Sequence, residues 1–143
     1  MPEGGLTENV TEPLVDLHGH GRKVTLLRFH PTASNVLAST SSDFTPKIWD
    51  IEKGVEMHSM DGIHDQLIQD IMWDPMGGLI ATSCKDKTIR LVDPRSSSVA
   101  HTIENAHEGS KSCKIAWTGG MGTLVSVGFT KQSMRQIKLW DPR

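Results

Sequence analysis

Short runs of apolar residues recur along the chain, and turn-forming residues separate them. The runs are rich in β-branched residues, which favour strands over helices. Pro, Gly, Asn and Asp fill the gaps between the runs. The dipeptides His30-Pro31 and Asp74-Pro75 each end a run, because proline removes a hydrogen-bond donor from a strand ladder. The pattern predicts an all-β fold without a long helix.

The apolar runs form a repeating unit of four strands. Three Asp residues that close the third strand of each unit, Asp50, Asp93 and Asp141, lie 43 and 48 residues apart. The predicted first strands are 24–29, 67–73 and 113–117, and the second strands are 35–40, 78–83 and 123–128. The predicted third strands are 47–49, 89–92 and 137–140, and the fourth strands are 55–60 and 98–103. A period in the forties, with Gly-His near one end and Trp-Asp at the other, resembles the WD-repeat β-propeller.

The repeat predicts how the chain is divided. The predicted parts are an N-terminal arm (1–11), the outer strand of a preceding blade (12–17), two blades (18–60 and 61–104) and a blade lacking its last strand (105–143). Closed propellers have about four to eight blades, so three blades make an incomplete propeller whose further partners are the remaining blades. Open sheet edges favour aggregation, and we expect these three blades alone to be poorly soluble or partly folded.

Each unit carries residue types found in serine hydrolases. In the first unit these are Ser39, His20 and Asp43, and a serine nucleophile does need a base and an acid that orients the base. The second unit repeats the set with the same spacing of four residues between hydroxyl and carboxylate: Thr82, His64 and Asp86. An enzyme needs one active site, so repetition in successive units favours a structural role. We therefore predict that the protein is not an enzyme.

The WD-repeat resemblance implies a hydrogen-bond network in each unit. In that family the Asp accepts from the His, the His accepts from the Ser or Thr, and that hydroxyl accepts from a Trp indole. The implied network residues are His20, Ser39, Asp43 and Trp49, then His64, Thr82 and Asp86, then His107, Ser126 and Trp140. Val92 replaces the second Trp, so Thr82 should lack an indole donor. Thr130 replaces the third Asp, in a turn (TKQSMR) predicted to be longer, basic and mobile.

Longer stretches of the chain are similar to coronins, which are actin-associated propeller proteins. The similar stretches are 4–24, 29–39, 83–95, 106–112 and 127–143. Coronins have seven blades and share the departures at Val92 and Thr130. The resemblance implies filamentous actin and actin regulators as partners and a cytoplasmic, cytoskeleton-associated location. It fits both the short coronins and the long tandem-propeller class.

One face of the predicted propeller carries many cations. In propellers the loops before first strands and the turns between second and third strands share a face, and here these segments contain Arg22, Lys23, Lys85, Lys87, Lys111, Lys131 and Arg135. Fewer acidic residues accompany them: Asp65 and Glu108, besides Asp43 and Asp86 of the networks. With a formal net charge of only −2, such a face would suit an acidic filament. The alternative is that these lysines only solvate turns.

The Trp-Asp-x-Arg endings suggest a second function. They resemble the motif by which some WD-repeat proteins dock on the adaptor of cullin-type ubiquitin ligases. The candidate docking residues are Asp93 and Arg95, without a Trp, and Trp140, Asp141 and Arg143. The competing interpretation is a proline-initiated turn after the third strand, with the Arg paired locally to the Asp.

Composition argues against other classes of protein. The net charge gives no cationic stripe for nucleic acid, and no apolar run approaches the roughly 18 residues that span a bilayer. Cys84 and Cys113 lie in apolar runs and are expected to be buried free thiols in a reducing cytosol. The pair His18-x-His20 lacks further ligands for a metal site, and no phosphate-binding glycine loop is present. We predict no cofactor and no metal.

Overall fold

Eleven β-strands make up the regular structure of the computed structural model, which describes residues 9–119 and 122–142. The strands are β1 (Val24–Phe29), β2 (Val36–Ser41), β3 (Lys47–Asp50), β4 (Val55–Ser59), β5 (Ile68–Trp73), β6 (Ile80–Cys84), β7 (Ile89–Asp93), β8 (Ser98–Ile103), β9 (Lys114–Trp117), β10 (Leu124–Phe129) and β11 (Arg135–Trp140). These described residues form no α-helix. The predicted all-β class is confirmed.

Three antiparallel sheets follow one another along the chain. Their strand orders are β1-β2-β3-β4, β5-β6-β7-β8 and β11-β10-β9, and we call them the first, second and third sheets. Each sheet lies within one of the three predicted blades. The segment 12–17 forms no strand, so the predicted outer strand of a preceding blade is not seen and the preceding blade stays a prediction.

The sheets repeat one another in detail. The pairing of the first two strands shifts between Val24 and Leu26 in the first sheet and between Ile68 and Asp70 in the second. Each turn between the second and third strands holds one non-glycine residue at positive φ: Phe44 (70°), Lys87 (72°) and Ser133 (63°). The third turn is shorter than predicted, because Arg135 already pairs with Phe129 as the first residue of β11.

Apolar side chains fill the space between neighbouring sheets. The junction of the first and second sheets buries Ala38, Ile48, Met60, Ile71, Trp73, Ile80 and Val92. The junction of the second and third sheets buries Ala81, Ile89, Leu91, Ile103, Ala106, Cys113, Ile115 and Leu124. Propeller blades pack in this way, with the apolar face of one sheet against that of the next.

A buried carboxylate joins all three sheets near their first strands. Asp70 on β5 is 3% exposed and accepts from Arg28 of β1 at 3.2 Å and from the backbone N–H of Ile115 at 3.1 Å. Each oxygen thus binds a donor of a different neighbour, which compensates for its burial. The strands β1, β5 and β9 therefore lie side by side, and the sheets share two ends. We call the end at which β1, β5 and β9 begin the loop end.

No helix among the described residues is both long and apolar enough to cross a membrane.

Candidate functional site

The first sheet holds a chain of four hydrogen-bonded side chains. Nδ1 of His20 lies 2.9 Å from Oδ2 of Asp43, and Nε2 lies 2.7 Å from Oγ of Ser39. The indole N–H of Trp49 donates to the same Ser39 oxygen at 2.8 Å. Because Asp43 can only accept, His20 carries its proton on Nδ1, and its Nε2 accepts from the Ser39 hydroxyl. The network joins the loop before β1 to β2, β3 and the turn between them.

In the second sheet an arginine separates the histidine from the aspartate. Arg90 donates to Oδ2 of Asp86 at 2.8 Å and lies 2.9 Å from Nδ1 of His64. The structure therefore does not place Asp86 against His64. Nε2 of His64 lies 3.0 Å from Oγ1 of Thr82, whose hydroxyl donates to the Arg90 carbonyl.

This arrangement fixes the opposite tautomer in His64. A guanidinium can only donate, so Nδ1 of His64 must accept and its proton must sit on Nε2. Thr82 then accepts from His64, and it has no indole donor because Val92 occupies the tryptophan position, as predicted. His20 and His64, which occupy equivalent positions, thus carry their proton on opposite ring nitrogens because of Arg90.

In the third sheet a glutamine takes the place of the missing aspartate. Oε1 of Gln136 lies 3.4 Å from Nδ1 of His107, and Nε2 of His107 lies 2.8 Å from Oγ of Ser126. Trp140 donates to that hydroxyl oxygen at 2.8 Å. The histidine packs directly over Gly128, where a Cβ would lie 2.3 Å from the ring. Thr130, which follows β10 in place of the Asp, bonds locally to the N–H of Met134.

Sequence reasoning missed Arg90 and Gln136 as members of these networks. Arg90 stands opposite Thr82 in the β6–β7 ladder, and Gln136 stands opposite Gly128 in the β10–β11 ladder. Strand register carried the signal. In each sheet a polar side chain on the third strand lies opposite a residue that contacts the histidine: Arg90 lies opposite Thr82, and Gln136 lies opposite Gly128.

Burial and hydrogen bonding set the protonation of these groups. Burial would raise the pKa of Asp43, but hydrogen bonds from His20 and from the N–H groups of Thr45 and Gly21 outweigh it and lower the pKa. Burial and the charge of Arg90 lower the pKa of His64 to about 4. His64 is therefore neutral at physiological pH.

The pKa values of two further network residues, Asp86 and His107, are also set by burial and hydrogen bonding. The pKa of Asp86 is lowered, because hydrogen bonds from Thr88 and Arg90 outweigh the opposing effect of burial. Burial lowers the pKa of His107, against the hydrogen bond to Gln136.

These sets are better suited to holding a sheet together than to catalysis. Ser39, Thr82 and Ser126 are 2%, 0% and 0% exposed, so a substrate would not reach their hydroxyl groups. Each hydroxyl already receives or donates two hydrogen bonds within its network. Satisfied buried networks of this kind rigidify a fold.

Backbone hydrogen bonds gather the predicted basic segments at the loop end. The N–H of Ser42 donates to the Lys23 carbonyl, and that of Lys85 donates to the Leu67 carbonyl. Across the second junction, the N–H of Ala106 donates to the Lys87 carbonyl. The loops before the first strands and the turns after the second strands therefore share one end of the sheets.

Six of the seven predicted cations on this end are exposed: Arg22, Lys23, Lys85, Lys111, Lys131 and Arg135. Lys87 is half-buried and its Nζ donates to the Glu108 carbonyl at 2.8 Å. The ammonium of Lys111 lies 4.8 Å from the Phe129 ring centre, a cation–π distance. Asp61, Asp65, Glu104 and Glu108 are exposed on the same segments, so at least four exposed acidic side chains accompany the six exposed cations at the loop end.

The candidate adaptor-docking residues are partly committed to local contacts. The N–H of Arg95 donates to Oδ1 of Asp93 at 2.9 Å, which forms a local turn, while the Arg95 side chain is exposed. Trp140 belongs to the third network. Asp141 is exposed, and Arg143 lies outside the described residues.

The described residues include no group of three or more His, Cys, Asp or Glu side chains placed to hold a metal ion. His18 is paired with Asp16 at 3.1 Å instead. Cys84 and Cys113 are both buried, free thiols. Burial raises the pKa of Cys84 and raises that of Cys113 to about 11.

Comparison with protein families identifies WD repeats in two parts of the chain. The family "WD domain, G-beta repeat" matches residues 11–50. The family "Anaphase-promoting complex subunit 4 WD40 domain" matches residues 61–120. The predicted WD-repeat propeller class is confirmed.

Several similar proteins are coronins. Coronin-like protein crn1 of Schizosaccharomyces pombe is 42% identical over 91% of this chain, and Coronin-7 of Rattus norvegicus is 41% identical over 98%. The matched region is 21% and 15% of those two proteins, so the chain spans about a fifth or less of their length.

Solved structures agree with the sequence comparison. The WD40 domain of Toxoplasma gondii coronin has a TM-score of 0.84 and 33% identity, over 91% of this chain and 34% of that one. The WD40 β-propeller domain of Doa1 has a TM-score of 0.70 at 23% identity, over 88% of this chain and 39% of that one, and it shows the fold alone.

Proposed function

We propose that this chain, a WD-repeat chain of coronin type, is part of a protein-interaction scaffold that binds actin filaments and actin regulators through its loop end. In this proposal it works at the cytoskeleton in the cytoplasm and catalyses no reaction. The similarity to coronins supports the family of partners. The observation that carries the proposal is the set of exposed cations that the three sheets present at one end.

The hydrogen-bond networks hold the two inner carboxylates of that end in fixed positions. Asp43 is tied to His20 and to the N–H of Gly21, and Asp86 is paired with Arg90. Arg90 balances the charge of Asp86 locally, whereas Asp43 keeps its negative charge. A surface of one sign raises the rate of encounter with a partner of the opposite sign and fixes its orientation, more than it adds affinity through any single pair.

Charge reversal at the loop end tests the proposal. The double variant Lys85→Glu/Lys131→Glu changes two exposed side chains on the turns of different sheets. An exposed ion pair contributes about 0.2–1 kcal/mol, so losing two such pairs and adding repulsion should weaken filament binding about tenfold. Co-sedimentation with actin filaments at several salt concentrations measures the loss. Lys87 is left unchanged, because its side chain is bonded to the Glu108 carbonyl.

A matched charge reversal at the opposite end serves as the control. Arg95 is exposed on the turn after β7, so Arg95→Glu makes the same type of change away from the loop end. We expect it to alter binding by less than twofold. Wild-type binding that does not weaken with salt, or an equal loss in both variants, would show that the loop end is not the contact surface.

A further inference from the structure

The first and third sheets each have one face that no other sheet covers. Arg28 of β1 and Lys138 of β11 point toward the second sheet, where Arg28 donates to Asp70 and Lys138 donates to the Ala106 carbonyl. Successive side chains of a strand point to opposite faces, so the neighbours of these two residues point away from the second sheet. We call the uncovered sides the first outer face (Val24, Leu27 and Phe29) and the third outer face (Val127, Ile137 and Leu139).

Both outer faces are apolar and open to solvent. Leu27 and Phe29 are 53% and 64% exposed, and Ile137 and Leu139 are 72% and 65% exposed. Exposed apolar side chains that occur singly are normal, whereas contiguous ones mark sites of association. The first outer face also contains a recess of about 360 Å³, which Leu27 lines together with Val24, Leu37 and Trp49.

The first outer face is equivalent to a face that is buried within this chain. Leu27 and Phe29 hold the same ladder positions in the first sheet as Ile71 and Trp73 hold in the second. Ile71 and Trp73 are 0% and 6% exposed, because they pack against the first sheet. The first outer face is thus of the kind that packs against the sheet before it.

The third outer face is equivalent to the opposite half of such a junction. Ile137 and Leu139 hold the same ladder positions in the third sheet as Ile89 and Leu91 hold in the second. Ile89 and Leu91 are 0% and 1% exposed, because they pack against the third sheet. The two outer faces are therefore the two complementary halves of one sheet-to-sheet junction.

We propose that the third outer face of one copy of this chain packs on the first outer face of a second copy, as the second sheet packs on the first. The residues of the chain outside the described part are 1–8, 120–121 and 143, too few to cover a sheet of three or four strands. A second copy supplies both complementary faces. The indole N–H of Trp49 in the recess is already bonded to Ser39, so an apolar partner leaves it satisfied.

The symmetry of this contact distinguishes it from other modes of association. It joins two different faces, so it is heterologous, and each pair of copies keeps one free face of each kind. Such contacts close into a ring or extend into an open assembly, whereas an isologous pair uses the same face on both copies. This inference concerns the sides of the outer sheets and does not rest on the function proposed for the loop end.

Two blocking variants of the 143-residue chain test the proposal. Leu27→Glu places a charge on the first outer face, and Leu139→Glu places one on the third. Both side chains are more than half exposed, so both variants should fold. In sedimentation velocity the wild type should form species larger than a monomer, in a proportion that rises with concentration. Each variant alone should associate at least about tenfold more weakly, because the contact would bury an unpaired charge.

A mixture of the two variants identifies the heterologous contact. Leu27→Glu keeps an intact third outer face and Leu139→Glu keeps an intact first outer face, so the mixture should form 1:1 pairs that grow no further. Met76→Glu is the matched control, because Met76 is 79% exposed in the turn between β5 and β6 and belongs to neither outer face. This control should associate within about twofold of the wild type.

Several outcomes would overturn the proposal. One is a wild type that stays monomeric at every concentration, which would leave the outer faces to a different protein. Others are a mixture of folded variants that forms no pair, a single variant that pairs like the wild type, and a control that loses as much association as the blocking variants. Leu27→Ser and Leu139→Ser, which add no charge, replace any blocking variant that circular dichroism shows to be unfolded.

Discussion

The contact between His64 and Arg90 should lower the stability of the folded protein as pH falls. Its Nδ1 faces the guanidinium of Arg90 at 2.9 Å, and its Nε2 faces Thr82. A second proton would have to enter between His64 and a cation, in a position that is 7% exposed. Burial, with the charge of Arg90, accordingly lowers the pKa of His64 from 6.5 to about 4.

The sign and size follow from proton linkage. In the unfolded chain His64 takes up a proton below about pH 6.5, whereas in the folded chain it does so only near pH 4. The stabilisation from keeping His64 neutral is thus complete above pH 6.5 and is lost as pH falls toward 4. The full span is about 3 kcal/mol, and about 2 kcal/mol of it is lost between pH 8 and pH 5.

Urea unfolding of the wild type and of His64→Gln measures this effect. Glutamine stays neutral, so the difference in unfolding free energy between the two proteins isolates the titration of His64 from that of other groups. We expect the difference to shrink by about 2 kcal/mol from pH 8 to pH 5. A difference that stays constant across this range would refute the argument, because it would mean that His64 has the same pKa in both states.

Three further predictions concern the third sheet. Gly128→Ala should destabilise the protein by about 3 kcal/mol, measured by urea unfolding, because its Cβ would overlap the His107 ring. Trp140→Phe should cost about 1–2 kcal/mol in the same assay, because it removes the donor to Ser126. The Cys113 thiol should react with a disulfide reagent at pH 8 at least tenfold more slowly in the folded protein than in urea, because burial raises its pKa to about 11.

Controls separate these effects from general damage. Gly21→Ala adds the same methyl group where no atom lies within 4 Å, and it should change stability by less than about 0.5 kcal/mol. Equal effects of the two alanine substitutions would contradict the packing argument. Trp49→Phe removes the equivalent donor from the first network and should cost a similar amount to the loss in the third. Rapid labelling of Cys113 in the folded protein would show that the thiol is accessible.

The strand pattern could be predicted because it depends on residues close together in sequence. The run at 24–29 coincides with β1, and the run at 98–103 coincides with β8. Alternation of apolar residues and the position of turn residues are local properties of a strand. The bounds of the other strands differ by one or two residues, and the largest differences are at the starts of β6, at Ile80, and of β11, at Arg135, which pairs with Phe129. A polar turn residue does not reveal in sequence whether it begins the ladder.

The histidine networks were only partly predictable. The set around His20 could be proposed from the repeat, because its four residues recur at family spacings. Arg90 and Gln136 could not, because each reaches the histidine from a strand whose register is fixed by pairing with its neighbour. In the third sheet Gln136 takes the place of the missing Asp, whereas in the second sheet the Asp is present and Arg90 lies between it and the histidine.

The sequence by itself determined the period, the strands and the WD repeats, since these follow from patterns within each unit of about 45 residues. Tertiary structure decided the tautomers of His20 and His64 and the gathering of cations at the loop end. Those features depend on pairs such as Arg28 and Trp73, which lie 45 residues apart. The distances between such groups are set by the packing of one sheet on the next, and no local pattern encodes them.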